Sequence, residues 1–274
     1  MRTAIVTAVR GRTAHLRHQL AGLDRSTVRA DRHVVVAIDD DSVQRTVSAQ
    51  DARTRVVPFS SGGRRIPMAA ARNLGARVAQ DDGAELLVFL DVDCIPAPEM
   101  VDGYVRAAGH PDHCDALLCG PVTYLPEPGP MGYDLDGLGK MTAPHPARPH
   151  PAGSEVLLST DYELFWSLSF AVRTAVWQRI GGFCVDYTGY GGEDTDYAQA
   201  AAALGITMRW VGGAHAYHQH HPVSDPPVEH LRDIVDNAVV FHDRWGWWPM
   251  SGWLNAFHAQ GLLVFESDGR PRVC

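Results

Sequence analysis

"LLVFLDVDCIP" (86–96) runs five apolar residues into two aspartates, Asp91 and Asp93, with only Val92 between them. A short, continuously apolar run of this kind reads as a strand buried on both faces. Strand alternation sends two residues spaced i, i+2 to the same side, so the two carboxylates are expected to converge. Like charges so placed repel unless a cation sits among them. The strand end is therefore either a solvated turn, where Asp is common, or part of a metal site.

The flanking sequence sets the fold class. "TAIVTAVR" (3–10) reads as a buried strand, and a helix follows over about 13–24 with Leu16, Leu20 and Leu23 on one stripe. "RHVVVAIDDD" (32–41) and "TRVVPF" (54–59) are further strands. The loop "SSGGRR" (60–65) leads through Pro67 into a helix, "MAAARNLGARVAQ" (68–80). Apolar strands alternating with helices predict an α/β fold, a mostly parallel central sheet flanked by helices. In such sheets ligands bind at the carboxyl ends of the strands. The polar clusters Arg10 to Arg12, Asp39 to Asp41, and Asp91 with Asp93 fall at those ends.

Beyond the strand "ALLCGPVTYL" (116–125), residues 126–160 are rich in proline and glycine and read as a flexible loop, a lid over the sheet edge. Structure resumes with "ELFWSLSFAVRTAVWQRIGGF" (163–183). "YTGYGGEDTDYAQAAAALG" (187–205) is then a glycine-rich turn opening an alanine-rich helix that stops at Gly205. A strand near 206–211 precedes "GGAHAYHQHHP" (212–222). Residues 223–274 are expected to form a helical C-terminal extension, with Trp245, Trp247, Trp248 and Trp253 in it.

Bulk properties narrow the function. A formal charge of −8 opposes general nucleic-acid binding, which needs a basic face. No stretch approaches the roughly 20 apolar residues that span a bilayer, and "MRTAIVTAVRGR" has too short an apolar run for a signal peptide. The five cysteines are odd in number and scattered, which disfavours a disulfide framework. Cytoplasm is the expected compartment.

Three clusters carry chemistry. The aspartates are one. His215, His218, His220 and His221 are the second, and a neutral imidazole is a good partner for a carboxylate on a divalent ion. No cysteine or His-Glu-x-x-His helix accompanies them, so the set suits Mn²⁺ or Mg²⁺ holding a phosphate-bearing substrate better than zinc. His215, His220 and His221 individually read as surface or core-edge residues. The third cluster is "GYGGEDTD": Gly191 and Gly192 let the backbone approach a ligand closely. Helix capping explains one of Glu193, Asp194 and Asp196, but not all three. His110, His113, Cys114 and Cys119 imitate a zinc set with the spacing of no common module and read as structural. The tryptophans read first as packing, then as a saccharide platform or a homo-oligomer contact.

Taken in order, the strand, "DVD", "WSLSFAVR", "GGF", "GYGGEDTD" and "AYHQ" resemble the GT-A glycosyltransferases of the family 2 type. The likeness is to those carrying a galactosyltransferase-like C-terminal segment, such as β-1,4-galactosyltransferases and bacterial chondroitin polymerases. It covers most of residues 1–222, leaving 126–160 and the tail beyond about 225 unmatched. The resemblance implies a catalytic unit over 1–222, with a nucleotide-binding half (1–125), the loop (126–160) and an acceptor and catalytic half (161–222). It implies that Asp93 and His218 bind the metal, and that Asp91 touches the metal through water or the ribose. Thr7 to Arg10 and Asp39 would line the nucleotide pocket, and Arg72 and Asn73 would meet the nucleotide-sugar. Trp166, Gly192 and Glu193 belong to the sugar and acceptor site, with Asp194 as general base beside Glu193.

The implied activity is transfer of a hexose from a nucleotide-diphosphate sugar to a hydroxyl of a saccharide acceptor, in polysaccharide biosynthesis. GDP-mannose is the expected donor, ahead of UDP-galactose or a UDP-hexosamine, and the anomeric outcome is open. A sugar-nucleotidyltransferase shares the sheet and metal but would show a richer glycine and basic signature than "TAVRGRTAH" (7–15). A non-catalytic carbohydrate-binding protein would instead rely on the tryptophans.

Overall fold

Alternation within each buried strand sorts its residues onto two faces, and the computed structural model, which describes residues 1–47, 53–63 and 65–274, shows what covers each. In chain order the elements are β1 (Thr3–Val9), α1 (Thr13–Leu23), β2 (Arg32–Ile38), α2 (Ser42–Val47), β3 (Thr54–Phe59), α3 (Met68–Asp81), β4 (Leu86–Leu90) and β5 (Cys94–Pro96). There follow α4 (Met100–Gly109), β6 (Leu117–Cys119), β7 (Val122–Tyr124), β8 (Val156–Ser159), β9 (Ser169–Arg173), α5 (Thr174–Ile180) and α6 (Glu193–Ala203). The chain closes with β10 (Met208–Val211), β11 (Ala216–His218), α7 (Leu231–Trp245), α8 (Ser251–Ala259), β12 (Leu263–Phe265) and β13 (Pro271–Val273). Arg64 of the expected 60–65 loop lies outside the described residues.

The main sheet has eight strands in the order β3-β2-β1-β4-β9-β6-β10-β8. The first four run parallel, β9 is antiparallel to both β4 and β6, β10 is parallel to β6, and β8 is antiparallel at the edge. Ala4, Val6, Ala8, Leu87 and Phe89 face α3, α5 and α6, packing with Ala76, Trp177 and Tyr197. Ile5, Leu86, Val88 and Leu90 face the opposite way, onto Met100, Val101 and Tyr104 of α4. Val9, Val35 and Ala37 meet Leu16 and Leu20 of α1 on that second side. The result is three layers, helix on sheet on helix.

A second, three-stranded sheet, β5-β11-β7, decides where the site forms. The expected single strand 116–125 divides into β6 and β7 because the chain leaves the main sheet at Gly120 and Pro121. A Cβ at Gly120 would stand 2.1 Å from the carbonyl oxygen of Ala214, so only glycine permits this crossing.

Two further expectations are corrected. The 126–160 segment is not a structureless lid: Leu138 is buried with Ile95, Ala97, Leu125 and Tyr217, and residues 156–159 form the edge strand β8. The C-terminal extension is not wholly helical. It ends in an antiparallel hairpin, β12 with β13, and Leu263 joins Ile234, Ala238, Leu254 and Phe257 in a core of its own. No helix among the described residues is long and apolar enough to cross a membrane.

Candidate active site

Asp93 sits just past β4, in a tight turn closed by a bond from the Cys94 amide to the Asp91 carbonyl, 2.8 Å. The turn feeds β5, which pairs antiparallel with β11 so that Cys94 faces His218. The Gln219 amide donates to the Asp93 carbonyl at 2.7 Å, fixing the register at its last position. This pairing brings His218 Nε2 to 3.6 Å from Asp93 Oδ1. His221 Nε2 lies 3.6 Å from Asp93 Oδ2. The three side chains place one donor atom each within 4.8 Å of one another, the one such group found among the described residues.

The donor set fits a divalent cation. Asp93 Oδ1 is buried and has no hydrogen-bond partner, a costly state unless something binds it. Burial would raise the Asp93 carboxyl, but His221, His218 and Arg12 outweigh it and bring it down to about 2, so it is ionised. Burial lowers the His218 imidazole, against the pull of Asp93, which leaves a neutral ring with a free lone pair near pH 7. Ligands bonded at about 2.0–2.3 Å to one ion stand roughly 3–4 Å apart, the separation seen here.

His221, read from the sequence as a surface or core-edge residue, stands instead beside the Asp93 carboxylate. Its signal was spacing: β11 ends at His218, and the chain then curls so that a residue three further on returns to the same carboxylate. Asp91 does not converge on Asp93 as strand alternation predicts. β4 stops at Leu90, so the alternation that would align Asp91 with Asp93 does not extend through the turn. Asp91 instead accepts from Arg72 Nη2 at 2.8 Å and is not in the group around Asp93.

Arg72 organises the second half of the site. It is 5% exposed, rises from α3, and donates to Asp91 Oδ1 at 2.8 Å and to Glu193 Oε1 at 2.9 Å. One buried cation thereby ties the end of β4 to the start of α6. Its neighbour Asn73 spends both polar ends on the Phe183 backbone, at 2.8 and 2.9 Å, and so holds the "GGF" turn. Thr7 is likewise not brought to the site: its buried hydroxyl donates to Gln19 Oε1 and lies 3.0 Å from His33 Nε2, beneath α1. Arg10 and Asp39 are exposed at the ends of β1 and β2. Asp39 adopts a left-handed φ of 47° and accepts from the Ser61 hydroxyl and amide, which hold its carboxyl below the usual carboxylate range.

At the start of α6, Gly192 takes a φ of 92°, and a Cβ there would meet the Tyr187 ring at 3.1 Å. This sharp entry presents Glu193 to Arg72 and Asp194 beside it. Burial, then the neighbouring Glu193 charge, push the Asp194 carboxyl up to about 7 against opposing contacts from the Thr195 amide, Arg72 and the Ser167 amide. A carboxyl titrating near neutrality suits proton transfer at physiological pH.

Asp196 has a different task. It is 1% exposed and accepts from Tyr187 Oη, Arg244 Nε and Trp245 Nε1, at 3.1, 2.7 and 2.7 Å. Asn237 adds Nδ2 contacts to the carbonyls of Thr188, Tyr190 and Gly191. The extension therefore clamps the glycine turn. Asp196→Ala is expected to cost about 2 kcal/mol, since it removes the buried acceptor shared by the Tyr187 hydroxyl, the Trp245 indole and the half-exposed Arg244. Urea unfolding measures the loss, and an unchanged midpoint would contradict the clamp.

Trp166 precedes β9, where the Leu168 carbonyl accepts from the Asp91 amide at 2.9 Å. The Arg148 guanidinium, 3% exposed, lies between the faces of Trp166 and Trp210, 4.9 and 4.6 Å from their ring centres. The Trp166 ring meets His145, His145 meets Tyr124, and Tyr124 meets His218, with centroids 5.0, 5.8 and 4.7 Å apart. An aromatic wall thus runs from the group around Asp93 to Trp166. Sequence reasoning missed Tyr124 and Tyr190. Tyr190 stacks on His230 at 4.4 Å and approaches Trp253 of the extension at 5.9 Å. Its hydroxyl is pushed up to about 12 by burial and by the charges of Asp194, Glu193 and Asp93.

The chain matches two family models: "Glycosyl transferase family 2" over residues 13–141, and "N-terminal domain of galactosyltransferase" over residues 148–222. It is similar to validoxylamine A glucosyltransferase of Streptomyces hygroscopicus subsp. jinggangensis (strain 5008), with 30% identity over 223 residues, 75% of this chain and 52% of the relative. The protein of that name from Streptomyces hygroscopicus subsp. limoneus is also 30% identical, over 75% of this chain and 49% of its own. The chain spans about half the length of the curated relatives it matches. Among solved structures it is similar to GalNAc-T7 with UDP, GalNAc and Mn²⁺, at a TM-score of 0.59 and 15% identity over 81% of this chain and 44% of that one. Staphylococcus aureus TarS matches at 0.58 and 13% identity, over 87% and 39%. At such identities the likeness is one of fold, the GT-A sheet expected above.

Proposed function

We propose, because this chain belongs to the GT-A glycosyltransferases of the family 2 type, that it moves a hexose from a nucleotide-diphosphate sugar to a hydroxyl of a saccharide acceptor with the help of a divalent cation. The observation that carries the reading is the convergence of Asp93, His218 and His221 within 4.8 Å at the carboxyl end of β4. Asp194 stands on the adjoining helix, one residue from the Glu193 that shares Arg72 with Asp91. Asp93, His218 and His221 would hold Mn²⁺ or Mg²⁺, which would supply positive charge to offset that developing on a departing diphosphate. Asp39 and Arg10 border the nucleotide side, at the ends of β2 and β1. Arg72 holds Asp91 and Glu193 in place, and Glu193 and Trp166 border the sugar. Asp194 takes the proton of the attacking hydroxyl. Tyr190, Tyr124 and Trp166 offer aromatic faces to the saccharides.

The donor sugar belongs to the same proposal. The similar curated proteins are named as glucosyltransferases, which adds a nucleotide-glucose to GDP-mannose, UDP-galactose and the UDP-hexosamines. A role in building saccharide chains in the cytoplasm completes it. The test is a panel of these donors with Mn²⁺, Mg²⁺ or EDTA, read by thermal shift and by release of nucleoside diphosphate. One donor at about 100 times its Kd should add about 2.7 kcal/mol of stability only with metal present, and should slowly release the diphosphate. No shift and no release with any donor removes the assignment.

A further inference from the structure

Asp93 already has a cation on it, and that cation is part of the chain. Arg12, at the amino-terminal boundary of α1, places Nη1 2.7 Å from Asp93 Oδ2. The same oxygen is the one 3.6 Å from His221 Nε2, while Oδ1, the oxygen facing His218, lacks a hydrogen-bond partner. Arg12 therefore covers one half of the carboxylate on which two imidazoles converge. An ion bound by all three side chains arrives beside a fixed positive charge, and at an effective dielectric near 20 such proximity costs on the order of kilocalories. The Arg12 side chain is 36% exposed, against 13% for Asp93, and Asp93 is its one ion-pair partner among the described residues. A guanidinium displaced from a carboxylate is well matched to a phosphate, through the same forked donors.

We propose that Arg12 acts as a resident counter-cation of Asp93 that makes the divalent metal and a nucleoside diphosphate bind as a pair. Metal alone has to break the Arg12–Asp93 pair and then sit against the freed charge. A diphosphate arriving with the metal takes over Arg12 and removes both penalties. Each ligand then raises the affinity of the other, by equal factors. The inference rests on the glycosyltransferase reading for the identity of the second ligand, and the experiment separates the two.

Mn²⁺ binding to the full chain is measured by calorimetry and by the electron paramagnetic resonance of free Mn²⁺, alone and with saturating UDP or GDP. In the native protein Mn²⁺ alone should bind weakly, and one of the two nucleotides should tighten it at least tenfold. Arg12→Gln should bind Mn²⁺ alone about tenfold more tightly, while the tightening by nucleotide shrinks by about the same factor. Arg12→Lys, which keeps the charge but loses the fork, should retain weak binding of the metal alone. If Arg12→Gln binds Mn²⁺ no better than the native chain, or keeps the full nucleotide effect, the pairing role is overturned. If the native chain binds no Mn²⁺ even with both nucleotides, the metal-dependent reading fails as well. Circular dichroism of each variant confirms the fold.

Discussion

Asp93→Asn is expected to abolish metal-dependent binding of the donor nucleotide while leaving the fold intact. Asparagine keeps the volume but replaces an ionised ligand with a neutral amide, and it would present one carbonyl where two imidazoles and Arg12 now meet a charge. The main-chain contact that fixes this turn, from the Gln219 amide to the Asp93 carbonyl, does not involve the substituted group. Calorimetry with UDP and GDP in Mn²⁺ should show at least a hundredfold loss of affinity, about 2.7 kcal/mol, and the melting temperature without metal should move by only a few degrees. An unchanged affinity would take Asp93 out of the site. Unfolding would show instead that the carboxylate is a structural anchor.

Asp194→Asn should separate binding from turnover. Donor affinity should hold, because Asp194 is not among the residues around Asp93, and turnover should fall by about 10³, the typical contribution of a positioned base. The native enzyme should gain activity as pH rises through about 7, where Asp194 loses its proton, and the variant should lack that limb. The same carboxyl makes a second, opposite prediction for stability. Its value is raised from 3.8, so the folded chain holds a proton that the unfolded chain has already released. Stability therefore declines as pH rises from about 4 to about 7 and stays lower above that. Asparagine removes the penalty. At pH 8 the variant should be more stable by about 1–2 kcal/mol, several degrees in Tm, with little difference at pH 4. An inactive variant that is also less stable at pH 8 would identify Asp194 as a supporting residue, with the base elsewhere.

The pattern of gain and loss follows from how each residue is held. Asp196, two positions further along α6, resembles Asp194 in sequence yet answers to three donors, two of them from the extension. Nothing local distinguishes the two. Asp194 stands beside Glu193 with its carboxyl raised by burial, whereas Asp196 faces the clamp and pairs with Arg244. In the same way "HQHH" offers three histidines of equal chemical merit. Only the end of β11 and the curl after it select His218 and His221, and the His220 amide goes instead to Tyr133 Oη at 2.9 Å.

The sequence by itself determined the layered sheet, the carboxyl-end location of the polar clusters, and the candidacy of Asp93, His218 and Asp194. The sheet and the placing of the clusters follow from periods of two and 3.6 residues, which are local properties, whereas the choice of Asp93, His218 and Asp194 came from the resemblance of their motifs to the family 2 glycosyltransferases. The tertiary structure alone decided that His221 rather than Asp91 joins Asp93, that Arg72 bridges Asp91 to Glu193, and that Arg12 sits on the Asp93 carboxylate. These pairings are set by the registry of β5 on β11 and by α3 and α6 meeting over the end of β4. No local pattern encodes which distant charges a fold will press together.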